Sequence, residues 1–202
     1  MRSPQSPQQW NNQLATLQAE LADGDRPAAL QVGTHVALGQ LYYNAANYTQ
    51  ALIHYEDALN LAPHSIEALN GQGNALRHLG RHAEAIVAYD LAINRSPQRA
   101  ELWTNRGRSG ERLGRLREAI ADYEHALKLD ATRYRLWQRH ADLRYRQQRF
   151  GAALISYAQA LAVQPLKEEE ITSQCLFIAS PGPYVQRYQA AFSQLDLRLE
   201  KR

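Results

Sequence analysis

An alanine, a tyrosine and a second alanine return every 34 residues along this chain. With Val32, Ile66, Ala100 and Tyr134 as the first residues of four repeats, position 8 reads Gly39, Gly73, Gly107 and Ala141. Position 20 is Ala51, Ala85, Ala119 and Ala153, and position 24 is Tyr55, Tyr89, Tyr123 and Tyr157. Position 27 is Ala58, Ala92, Ala126 and Ala160, and position 32 is Pro63, Pro97, Ala131 and Pro165. A period of this length holds one supersecondary unit, which cannot bury its apolar face alone. Each repeat must therefore stack on its neighbours.

The residues within a repeat read as two helices. From position 18 onward, as in AEAIVAYDLAI at 83–93, apolar residues fall at spacings of three and four. Proline at position 32 cannot continue a helix and sets the break to the next repeat. Gly80 and Gly114, at position 15, stand where the first helix must end and the chain turn back. Small residues at positions 8, 20 and 27 are expected to let the two helices cross closely. The tyrosine at position 24 is expected to fill the space between successive repeats, with its hydroxyl at a polar edge.

The pattern resembles the tetratricopeptide repeat (TPR) family. Leu38-Gly39 followed by Tyr42 matches that family's Leu-Gly-x-x-Tyr element. Trp103 and Trp137 match its aromatic at position 4, with Leu69 the aliphatic variant. The resemblance implies an all-α fold, a right-handed α-solenoid of antiparallel helix pairs, each a helix A followed by a helix B. The expected organisation is a disordered stretch at 1–7, a capping helix and lead-in at 8–31, and repeats at 32–65, 66–99, 100–133 and 134–167. A degenerate fifth repeat or capping pair follows at 168–202. There Ile171, Cys175 and Ile178 continue the helix-A spacing. Tyr184, Tyr188, Phe192, Leu195 and Leu199 line one face of an amphipathic helix, which either caps the array or docks a partner or a second copy of the chain.

Composition excludes several classes. The chain has 202 residues, 45% of them hydrophobic and spread along its length, which argues against disorder. No apolar run approaches the roughly 20 residues that span a bilayer. Residues 1–10 carry no apolar signal-peptide core, so a cytoplasmic location is expected. A lone cysteine, Cys175, forms no intramolecular disulfide. There is no Gly-rich phosphate loop, nucleophile elbow or His-Glu-x-x-His element. His78 and His82 are separated by the Gly80 turn. No catalytic residue, cofactor or metal site is expected.

The charge is skewed in kind. Of 23 basic residues only Lys128, Lys167 and Lys201 are lysines, and residues 100–150 carry a basic excess of five over a chain net of +3. Arginine forks onto carboxylate or phosphate in a way lysine does not. Resemblance to the TPR family implies that a ligand meets helix A at positions 2, 5, 6, 9, 12 and 13. The candidates are Gln40, Tyr43 and Asn44 in the first repeat, and Asn70, Asn74, Arg77 and His78 in the second. The third offers Thr104, Asn105, Arg108, Glu111 and Arg112. The fourth offers Arg135, Gln138, Arg139, Asp142, Tyr145 and Arg146. The expected guest is an acidic peptide or helix of another protein, against the plainer reading of these arginines as solvated surface. The family's lysine and asparagine clamp for a C-terminal carboxylate is not expected, since Val36, Gln40 and Glu101 stand at its positions.

Two further features bear on function. Arg106 and His140 replace the leucine expected at position 7, and Gly110 and Arg144 replace the aromatic at position 11. Drift in a redundant array is the adopted reading, with a local pocket walled by Arg106 and Arg144 as its alternative. The function expected is a non-catalytic scaffold, adaptor or assembly factor. A regulatory or substrate-recruiting subunit of a separately encoded enzyme stands as the alternative. Nucleic-acid binding through the arginine-rich middle is less favoured, because the net charge is small.

Overall fold

A computed structural model describes residues 6–163 of the chain. The expected elements at 168–179 and 184–200, with Cys175, lie outside the described residues. Nine helices are described: α1 (Pro7–Ala22), α2 (Ala28–Asn44), α3 (Tyr48–Leu61), α4 (Ile66–His78), α5 (His82–Arg95), α6 (Ala100–Arg112), α7 (Leu116–Leu129), α8 (Tyr134–Arg146) and α9 (Phe150–Val163). Among the described residues no strand is present and no helix is long and apolar enough to cross a membrane. The chain forms two compact bodies, Met1–Gly114 with α1 to α6 and Arg115–Arg202 with α7 to α9.

Helix boundaries follow local chemistry. Ser6 caps α1 in a reciprocal box, its hydroxyl accepting from the Gln9 amide while the Gln9 side chain accepts from the Ser6 amide. Pro7 then occupies the first turn, where a missing N–H costs nothing. Asn47 and Ser65 cap α3 and α4 through their side-chain oxygens. Helix α2 starts at Ala28, four residues ahead of the repeat frame. Each helix A ends in a left-handed residue at position 15: Gly80 (φ 79°), Gly114 (φ 76°), Ala46 (φ 59°) and Gln148 (φ 60°). After α2, α4 and α8 the amide after the left-handed residue reaches back five residues to close the turn, as from Asn47 N–H to the Tyr42 carbonyl at 2.9 Å.

Within the N-terminal body α1 lies on α2, and α2/α3 and α4/α5 are antiparallel pairs, with α6 following on α5. The repeated alanines are buried, as are all four position-24 tyrosines at 2% exposure or less. Tyr55 shows why position 8 is small. A Cβ on Gly39 would come within 2.7 Å of the Tyr55 ring, and one on Gly71, in the next repeat, would come closer still. Gly73 relates to Tyr89 in the same way, at 2.6 Å. The small residue makes room for the tyrosine ring, a more specific reason than the approach of two helix axes. Tyr55 therefore sits between two repeats, as the spacing predicts.

In the C-terminal body α8 packs on both α7 and α9, around Ala141, Ala153 and Tyr157. One bond recurs in both bodies: the indole N–H of Trp103 donates to the Pro97 carbonyl (2.7 Å), and that of Trp137 to the Ala131 carbonyl (2.9 Å). The carbonyl at position 32 serves whether proline or alanine carries it.

Candidate functional site

The expected groove residues of the N-terminal body lie on α2, α4 and α6. At the C-terminal ends of α2 and α4 they form an aromatic cluster. The His78 ring stacks on Tyr48 with centroids 4.4 Å apart, and Tyr43 meets both edge-on, each at 5.4 Å. Tyr48 was not among the expected residues. It opens α3, and its signal in the sequence is an aromatic five residues beyond Tyr43 across the turn.

Cations border this cluster. Arg77 donates to His78 Nε2 at 3.1 Å, and its charge acts on the Tyr43 and Tyr89 hydroxyls. Burial pushes the Tyr43 and Tyr89 hydroxyls up, against the opposing pull of Arg77 and Arg108. His78 is held below the usual histidine range by burial and then by Arg77 and Arg108. His82, the first residue of α5, is lowered by burial and then by Arg112 and Arg77. Arg77 is thus a cationic neighbour of both histidines, joined by Arg108 at His78 and by Arg112 at His82.

The amides have partners of their own. Asn105 Nδ2 donates to Asn70 Oδ1 at 3.4 Å, and Asn70 Nδ2 to Glu101 Oε1 at 3.3 Å, forming a polar ladder from α6 to α4. Asn74 Oδ1 accepts the Tyr89 hydroxyl at 2.9 Å. Gln40 donates to Asn44 along α2 at 2.9 Å. Thr104 is 5% exposed and its hydroxyl donates to the Ala100 carbonyl, so this residue lines the interior rather than a surface. On the last turn of α6, Glu111 is half-buried and Arg112 exposed.

On α8 of the C-terminal body, Arg135, Arg139 and Arg146 are exposed and Gln138 is half-buried. Asp142 Oδ1 accepts the Tyr157 hydroxyl at 2.6 Å, repeating the position-24 to position-9 bond of Tyr89 and Asn74. Tyr145 packs edge-on against Phe150.

Three of the four departures at positions 7 and 11, Arg106, His140 and Arg144, are built into polar contacts rather than drift. Arg106 pairs with Asp90 at 2.6 Å and lies over the Trp103 ring. His140 is 2% exposed; its Nδ1 faces the Ser156 hydroxyl at 3.1 Å and its Nε2 faces Glu124 at 3.4 Å. Arg144 completes the network, donating to Glu124 (2.7 Å) and to Ser156 Oγ (3.2 Å). Burial, then Arg144, lowers His140 to about 4, so its ring is neutral at pH 7. Ser156, His140 and Glu124 have the connectivity of a hydrolytic triad. Ser156 is wholly buried and also bonds the Ala152 carbonyl, so no substrate can reach it.

Family models described as tetratricopeptide repeat match residues 36–100 and 100–133. Comparison with curated proteins finds no match. Among solved structures, the MamA protein superposes with a TM-score of 0.70 at 15% identity, covering 84% of this chain and 85% of that one. MamA from Desulfovibrio magneticus RS-1, residue 41 to its end, gives 0.64 at 16% identity, covering 77% and 94%. The first TPR of Spaghetti (RPAP3), bound to the HSP90 peptide SRMEEVD, gives 0.58 at 19% identity, covering 59% and 94%.

Proposed function

This chain is a tetratricopeptide repeat protein, and from that premise we propose that it is a non-catalytic scaffold or adaptor whose helix-A faces hold an acidic peptide or helix of another protein. The observation that carries this reading is the cluster of Tyr43, Tyr48 and His78 beside Arg77 and Arg108, with Arg112 acting on nearby His82. Aromatic faces supply contact area at little entropic cost, and the guanidinium groups supply donors for carboxylates. A protein of the same fold is bound to a peptide carrying two consecutive glutamates and an aspartate, SRMEEVD. Here Val36, Gln40 and Glu101 stand where a terminal-carboxylate clamp wants lysine and asparagine. The expected contact is therefore with internal acidic side chains rather than a chain end. A cytoplasmic setting belongs to the same reading.

The test is fluorescence anisotropy with a panel of labelled acidic peptides and their lysine-reversed counterparts. Acidic peptides should bind the wild type, their reversed forms should not, and Arg108→Glu/Arg112→Glu should lose the acidic set. Equal binding of both sets overturns the acidic preference. Absence of binding by any peptide, with Tyr43→Ala/Tyr48→Ala indistinguishable from wild type, overturns the groove.

A further inference from the structure

The structure brings His35 together with two residues that are distant from it in the sequence. His35 lies in the middle of α2, while His54 and Asp57 lie one turn apart on α3. His35 Nδ1 is 3.4 Å from His54 Nδ1 and 3.5 Å from Asp57 Oδ2, and His54 Nδ1 is 3.9 Å from the same oxygen. A tetrahedral ion with bonds of about 2.0–2.1 Å holds its ligand atoms about 3.3–3.4 Å apart. Two of the three separations match that edge, and the third closes with a small rotation of the Asp57 carboxylate.

The surroundings fit a coordinating site. The His35 and His54 side chains are 16% and 19% exposed, whereas Asp57 is 43% exposed. The imidazoles are thus held in the fold and one side remains open to solvent. Tyr42 stacks on the His54 ring (5.4 Å, 11° between planes), and Trp10 from α1 meets Tyr42 edge-on. This aromatic backing fixes the plane of the ligand ring. Without an ion, two imidazole nitrogens face one another with at most one proton to share.

We propose that His35, His54 and Asp57 form a binding site for a divalent transition-metal ion, with Zn2+ as the fitting probe. Two imidazoles and one carboxylate suit the borderline ions of the Zn2+, Co2+ and Ni2+ class, whereas Mg2+ and Ca2+ want oxygen ligands. Three protein ligands leave a fourth position open to water or to a donor group on a partner. The ion clips α2 to α3 within the first repeat. Its site lies about 12 Å along α2 from Tyr43, by the helical rise of about 1.5 Å per residue from His35, and stands apart from the aromatic–arginine cluster.

The experiment uses the full, untagged chain stripped with a chelator, and Zn2+ alone as titrant. Calorimetry should show one saturable equivalent, and Zn2+ should raise Tm. Affinity should fall at least about tenfold in Asp57→Asn and further in His54→Gln, while His64→Gln binds as wild type. Co2+ should give the intense visible bands of a four-coordinate ion. Circular dichroism of the metal-stripped variants checks folding; should His54→Gln not fold, the exposed Asp57→Asn decides. Absence of saturable binding, affinity unchanged in Asp57→Asn, or a pale six-coordinate Co2+ spectrum overturns the site.

Discussion

At position 15 all four described helix-A ends demand the same backbone and receive three different residues. Gly80 and Gly114 take the left-handed conformation without a Cβ penalty, but Ala46 holds it at φ 59°. An L-residue there costs roughly 1–2 kcal/mol. Ala46→Gly should therefore raise stability by about 1 kcal/mol and Gly80→Ala should lower it by a similar amount, both read from urea midpoints. A helix end at 46 was thus less legible than those at 80 and 114, because the geometry persists without the residue that announces it. Packing makes a sharper demand at Gly71, which the repeat pattern did not single out. Its missing Cβ is the space the Tyr55 ring occupies. Gly71→Ala should cost about 1–3 kcal/mol through overpacking. By contrast, Gly33→Ala, with nothing within 4 Å of its Cβ, should gain up to about 1 kcal/mol from helix propensity. A stabilised Gly71→Ala would show that Tyr55 has room to move.

Among the elements, α7, α8 and α9 of the C-terminal body share a polar core that periodicity alone could not reveal. His140 and Arg144 read as lapses from an apolar pattern, because their partners Glu124 and Ser156 lie 12 to 20 residues away on neighbouring helices. The same distance hid the convergence of His35 on His54 and Asp57. By contrast the core tyrosines and alanines were legible, since a 34-residue period translates directly into stacking. The network makes stability pH-dependent with a definite sign. His140 is lowered to about 4 in the folded protein, against about 6.5 when unfolded. Between these values the unfolded chain binds the extra proton, so stability is full above about pH 6.5 and falls as the pH drops toward 4. The loss reaches at most about 3 kcal/mol, from 1.36 kcal/mol per pH unit over that window. Hydrogen exchange of α8 and α9 amides should accelerate from pH 7 to 4.5, after correction for intrinsic rates, and His140→Gln should flatten the trend. An identical trend in His140→Gln would assign the pH dependence to other groups.

For the molecule as a whole, the question is which anion its arginines serve. The net charge of +3 is too small to gather a polyanion from afar, whereas the local excess at 100–150 and the cations beside His78 act at short range. A protein that neutralises several phosphates releases their counterions. With six to ten phosphate contacts it loses about a thousandfold or more in affinity between 50 and 200 mM salt. An acidic peptide seated on Tyr43 and Tyr48 keeps its apolar contacts as salt rises, so only the arginine contribution is screened. Its affinity should fall by about tenfold or less over the same range, with the residue of binding removed by Tyr43→Ala/Tyr48→Ala. The measurement is a salt series by anisotropy on an acidic peptide and on an arbitrary single-stranded oligonucleotide of equal charge. Tighter binding of the oligonucleotide, with the steep slope and indifference to the tyrosine changes, would move the function from peptide capture to nucleic acid. A shallow slope that depends on the aromatic pair would leave the arginines the narrower task of orienting a carboxylate-bearing guest.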